Sequence, residues 1–233
     1  MRFPSPLVEA RLIRRYKRFL ADVEFADGAV VTVHVANPGA MTGLAEPGMR
    51  VFLSRSASTT RKLPWSWELV DADGTLVGIN TAHPNGMVAD AIAVGNIAEL
   101  AGYDILRREV PYGVNSRIDI LLSGAGRPDA YVEVKNVHLS RTKGLAEFPD
   151  SPTVRGTKHL RELAAMAAGG HRAAMLYLVH RGDTTAFRLA RDVDPEYGAA
   201  FDAAAAAGVE MLAYQCRVTP DEVVVTTRLP ILD

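Results

Sequence analysis

Turn-forming clusters constrain the first third of the chain more than any other feature, because they leave room only for short strands. Ala26-Asp27-Gly28 divides residues 7–36 into two candidate strands, and Val31, Val33 and Val35 then fall on one face by alternation. The run Asn37-Pro38-Gly39-Ala40-Met41-Thr42-Gly43 leads through Pro47-Gly48 into a third strand at residues 49–54. Two more, around residues 67–70 and 75–79, flank Asp73-Gly74. Strands this short and this numerous close most economically as a small barrel, and the five-stranded barrel used most often for nucleic acid is the OB-fold.

The pattern changes at His83-Pro84-Asn85-Gly86, where a turn cluster opens a helical period over residues 87–101, closed by Gly102. A domain boundary is predicted there, giving residues 1–82 and 83–233. Beyond it, strands are expected at 106–112, 117–122, 130–139, 173–179, 185–189 and 209–217, with helices at 153–168 and 195–207. That alternation is mixed α/β. The expected fold class is therefore α+β/mixed α/β, an OB-like barrel followed by an α/β domain.

Several function classes drop out on composition. No run approaches the roughly 20 apolar residues of a membrane helix, and the first residues lack the apolar core of a signal peptide, so a cytoplasmic location without membrane contact is expected. Cys216 is the only cysteine, which excludes an intramolecular disulfide and any cysteine-cluster zinc site. Charge is unevenly spread: residues 1–70 hold 10 Lys/Arg against 6 Asp/Glu, and residues 71–233 hold 16 against 21.

The basic excess concentrates in Arg11, Arg14, Arg15, Lys17 and Arg18, interleaved with Tyr16 and Phe19. Such a segment neutralises phosphates and stacks bases, or else forms a solvated charged strand. Arg61, Lys62 and Trp65 make a second basic-aromatic group, with Trp65 beside Pro64 in an expected loop. Asn37, Thr42 and Gly43 could bring backbone amides to a phosphate, though such loops commonly serve only to turn the chain.

The acidic chemistry lies on two adjacent candidate strands, Arg117-Ile118-Asp119 and Tyr131-Val132-Glu133-Val134-Lys135. Strand alternation puts Glu133 and Lys135 on one face and Val132 and Val134 on the other. Asp119 and Glu133 together suit a hard cation such as Mg²⁺, with Lys135 set against a scissile phosphate. A solvated strand face carries the same pattern, but Asp119 sits in the apolar run 118–122, where a carboxylate needs a partner, a metal or an exit to water.

Several stretches together resemble the sugar fermentation stimulation protein A family: Phe3-Pro4-Ser5-Pro6-Leu7, Arg15-Tyr16-Lys17-Arg18-Phe19, Asn37 through Gly43, Ser116 through Asp119, Tyr131 through Lys135, and Arg155 through Leu163. The resemblance runs nearly end to end. It implies an OB-like N-terminal domain, a restriction-endonuclease-like α/β domain, and DNA as partner. Carried over residue by residue, it makes Asp119, Glu133 and Lys135 catalytic, with Asp119 and Glu133 as ligands of Mg²⁺ and Glu99 as an early helix acid. Arg14, Arg15, Tyr16, Lys17, Arg18, Arg61, Lys62, Trp65, Lys158 and His159 become expected nucleic-acid contacts. Ile118 stands where that nuclease pattern often has proline, which leaves two readings: a Mg²⁺-dependent phosphodiesterase, or a non-catalytic DNA-binding regulator on the same scaffold.

Overall fold

The computed structural model describes residues 1–233. Six strands build the first unit: β1 (Val8–Tyr16), β2 (Leu20–Glu24), β3 (Val30–His34), β4 (Arg50–Arg55), β5 (Trp65–Ala72) and β6 (Thr75–Gly78). They are ordered β3-β2-β1-β4-β5-β6, and a parallel contact of His34 with Ser66 joins β3 to β5. This closes β1 to β5 into a five-stranded barrel. Its interior holds Leu12, Val23, Val33, Val51, Leu53 and Trp67, the inward side of each alternating pattern.

Residues 7–36 form three strands where two were expected. The additional reversal is Lys17-Arg18, both with positive φ (49° and 60°), in a turn with neither glycine nor asparagine to announce it. Trp65 opens β5 instead of lying in a loop.

The second unit contains α1 (Pro84–Ala93), a single 3-10 turn (Ala98–Leu100), β7 (Ile105–Tyr112), β8 (Ser116–Ser123), β9 (Ala130–Val137), β10 (Leu139–Thr142), β11 (Leu145–Phe148), α2 (Val154–Ala168), β12 (Arg172–Val179), β13 (Ala186–Leu189), α3 (Pro195–Ala206), β14 (Glu210–Val218), β15 (Val223–Arg228) and β16 (Ile231–Leu232). Pro84 starts α1 at a position where its missing N–H costs nothing, and Gly95 (φ 78°) follows the helix, which is shorter than the expected 87–101. The central sheet runs β15-β14-β12-β9-β8-β7, with β12 parallel to β9 and β14. A smaller sheet, β10-β11-β13-β16, stands beside it.

Both faces of the central sheet are covered, so β12 reads as a continuous apolar run. Ile120, Val132, Leu176 and Leu212 pack toward α1; Leu121, Val137, Met175 and Tyr177 pack toward α2 and α3. The first residues cross over to this unit: Arg2 bridges to Glu222 and the Phe3 N–H donates to the Asp221 carbonyl, so the start of the chain packs outside the barrel. No helix is long and apolar enough to cross a membrane.

Candidate functional site

The site forms where the sheet opens. Pairing between β8 and β9 holds from Leu122–Ala130 to Ile120–Val132 and stops there. On the other side of β8, the partners Arg108–Ile120 and Val110–Ile118 flank Glu109, whose φ is 54°. Asp119 occupies this interruption. Its carboxylate accepts the Val134 N–H at 2.8 Å and the Asn85 side-chain amide of α1 at 2.6 Å. Burial, then the negative charge of Glu133, nevertheless raise its pKa to about 6.

Glu133 and Lys135 share the face of β9 that looks toward α2. Lys135 Nζ donates to Glu133 Oε1 at 2.7 Å, and His159 of α2 hydrogen-bonds the same oxygen through Nδ1. Arg155 Nε donates to His159 Nε2 at 3.3 Å, and Nδ1 of the same ring faces both Glu133 Oε1 and the Lys135 ammonium. Burial opposes the charge on Glu133, but His159 and Lys135 outweigh it and hold the carboxyl below its ordinary pKa. One oxygen is thus doubly engaged. The other, Oε2, is buried without any partner.

Beside this pair opens a cleft of about 580 Å³ whose lining includes Glu109, Ser116, Arg117, Arg155, Lys158 and His159. Lys158 is half committed to structure, since Nζ donates to the Val114 carbonyl at 2.8 Å while Glu162 accepts the Val114 N–H and the Ser116 hydroxyl. These hydrogen bonds clamp the β7–β8 hairpin onto α2 at the lip of the cleft.

Glu99 lies elsewhere. It sits in the 3-10 turn after α1, where its carboxylate accepts the Tyr214 hydroxyl and pairs with Arg228, on β14 and β15 at the opposite side of the sheet from β8. The break at Gly95 carries it away from Asp119. The helix residue that does reach Asp119 is Asn85, which sequence reasoning missed because asparagine after proline reads as a turn former.

The barrel residues divide as well. Arg14 pairs with Asp22 at 2.8 Å and lies over the Tyr16 ring, and the Tyr16 hydroxyl also donates to Asp22. Arg15 donates to the carbonyls of Asn37, Gly39 and Ala40. Its guanidinium therefore pins the glycine-bearing loop. Lys17 and Arg18 are exposed at the turn. Register from Leu20 to His34 and from His34 to Ser66 brings that turn toward Arg61, which donates to the Ser66 hydroxyl. Lys62 is exposed, and Trp65 is half-buried between Phe25 and the Arg55 guanidinium.

Comparison with known proteins covers both units. Residues 13–79 match the SfsA N-terminal OB domain, and residues 82–222 match the Sugar fermentation stimulation protein RE domain. A sugar fermentation stimulation protein homolog of Paramagnetospirillum magneticum is 62% identical over 221 residues, 95% of this chain and 93% of that protein. Another, from Azorhizobium caulinodans, is 58% identical over 236 residues and spans 100% of both. The structure of Pyrococcus furiosus SfsA, solved in complex with Ca²⁺, superimposes with a TM-score of 0.90 at 26% identity, over 100% of this chain and 98% of that one. With both units matched in order and relatives of this identity along its whole length, the chain belongs to the sugar fermentation stimulation protein family.

Proposed function

We propose that this protein binds DNA and cleaves its phosphodiester backbone with a divalent cation, Mg²⁺ by preference, held between Asp119 and Glu133. The observation that carries the reading is the buried, unpartnered Oε2 of Glu133 beside a carboxyl whose pKa is raised. An isolated buried oxygen of this kind is costly, and a hard cation supplies what it lacks. No group of three or more acidic, histidine or cysteine side chains converges as a ready-made cage. Two carboxylates completed by water suit Mg²⁺, which keeps several waters of its own. The Ca²⁺ of the Pyrococcus furiosus protein supports the same choice of ligand chemistry.

A bound cation supplies Lewis acidity and a water of lowered pKa. The chain's own groups do the rest. His159 and Lys135 fix one oxygen of Glu133 and leave the other without a partner, so that it would be the one to hold a cation, while Asn85 and the Val134 N–H orient Asp119. Lys135 stands on the same face as Glu133, where its ammonium offsets charge developing on the phosphate. Arg117 and Arg155 line the cleft as cations for the adjoining backbone. On the barrel, Lys17, Arg18, Arg61 and Lys62 take the flanking strand.

The test is nicking of supercoiled DNA with Mg²⁺ and with chelator. Wild type is expected to nick only with the ion. Lys135→Ala is expected to lower the rate by a factor on the order of 10² while leaving DNA affinity in chelator within about twofold. Salt-sensitive binding without cleavage under every ion condition would instead favour a non-catalytic DNA-binding protein.

A further inference from the structure

A second cleft, of about 370 Å³, lies along the seam between the barrel and the α/β unit, within the size range of small-molecule pockets. Arg18 and Gly39 line it from the barrel; Asn136, His138, Asp150 and Thr153 line it from the other side. Neither unit makes it alone.

The seam is built with some precision. Arg15 and the Asn37 side chain hold the loop that carries Gly39, and a Cβ there would stand 2.5 Å from the Asp150 carboxylate. His138 lies between Asn136 Nδ2 at 3.2 Å and Asp150 at 3.3 Å. If the imidazole donates to Asp150 through Nε2, its Nδ1 accepts the Asn136 amide, and Asn136 Oδ1 becomes the atom left over. That oxygen is buried with no partner. The pocket is therefore lined by two residues that carry acceptor oxygens, Asn136, whose Oδ1 is buried, and Asp150, and by a cation, Arg18, from the exposed turn.

A molecule that matches this layout carries amino donors at one end and an anion at the other. We propose that the seam cleft takes one nucleotide unit whose base bears an exocyclic amino group, with its phosphate against Arg18 and the amino group directed to Asn136. The repulsion between a phosphate and Asp150 places the base, not the phosphate, at the Asp150 end. The inference rests on the nucleic-acid reading above and deepens it: Thr153, in the seam cleft, caps α2, the helix that carries Arg155 and His159 to the other cleft.

The experiment measures binding of the full-length protein, in chelator, to hexamers of deoxycytidine, deoxyadenosine and deoxythymidine, and to the corresponding mononucleotides as competitors. Amino-bearing hexamers are expected to bind about tenfold tighter than the thymidine hexamer, the order of one hydrogen bond to a buried acceptor. Asn136→Leu is expected to abolish the preference, Asn136→Asp to retain it, and Arg18→Ala to weaken all hexamers alike. Competition by mononucleotides with the same preference identifies a free-nucleotide site; preference confined to hexamers identifies a subsite for a strand. Equal binding of all hexamers by wild type, or a preference untouched in Asn136→Leu, overturns the proposal while DNA binding stands. If no hexamer and no longer DNA binds, the nucleic-acid reading itself fails.

Discussion

Asp119 and Glu133 share one buried site and respond to it in opposite directions, because their partners differ. Glu133 has an ammonium and an imidazole on one oxygen; Asp119 has only neutral donors and feels Glu133 as a like charge. With a folded pKa of about 6 against an unfolded value near 3.9, Asp119 binds protons more readily in the folded state. Without a cation, stability therefore falls as pH rises through the window between those values, by up to about 3 kcal/mol. Asp119→Asn is expected to remove that loss, gaining on wild type at pH 7 and not at pH 4, since Asn85 can turn its amide to suit either partner. Urea unfolding in chelator at both pH values measures it, and an equal difference at the two would show that Asp119 carries no such penalty. At this scale the sequence was partly legible. Strand alternation was enough to place Glu133 and Lys135 on one face, and an acid in an apolar run pointed to Asp119. The role of Asn85 and the attachment of His159 to Glu133 were not legible, because both depend on helices docking against strands far away in the chain.

Among the elements, the β1–β2 turn departs most from local preference. Two consecutive non-glycine residues in the left-handed region cost about 1 kcal/mol each, yet the turn uses lysine and arginine where Asn-Gly would fit. This explains why the reversal was invisible to turn chemistry, whereas Asp73-Gly74, with φ values of 53° and 86°, announced its hairpin plainly. Residues that break a local rule mark places where something other than stability was selected. The double variant Lys17→Asn/Arg18→Gly is expected to raise stability by about 1 kcal/mol and to lower the salt slope of duplex binding by roughly 0.9 for each phosphate no longer neutralised. Chemical unfolding and a salt series of binding constants check the two halves; a stabilised variant with an unchanged slope would make the basic turn a solvated ornament of the barrel. Helix α2 was legible nearly to the residue, since Thr153 accepts the Gly156 N–H as an N-cap and an apolar stripe follows. Helix α1 was overextended because its apolar period continues past the Gly95 break.

At the scale of the whole molecule, the two units are joined by hydrogen bonds that no local signal reveals. The Gly78 N–H donates to the His180 carbonyl, Glu68 hydrogen-bonds His83, and Asp150 accepts the Met41 N–H. Barrel and α/β unit were each legible from turn spacing and from alternation, but the seam, and the return of Met1–Phe3 onto β15, arise only in three dimensions. So joined, the molecule is expected to unfold as one cooperative unit, and anything that binds the folded site alone must raise its melting temperature. The most direct measurement is thermal unfolding against Mg²⁺ concentration for wild type, Asp119→Asn, Glu133→Gln and, as a distant exposed control, Glu46→Gln. At an ion concentration about 100 times the dissociation constant, linkage gives about 2.7 kcal/mol, which for a chain of this size is a rise on the order of 5 °C or more. Wild type and Glu46→Gln are expected to show that rise, and the two site variants to lack it while remaining folded. An equal response in all four proteins would contradict a cation site at Asp119 and Glu133, and with it the catalytic roles of the residues around them.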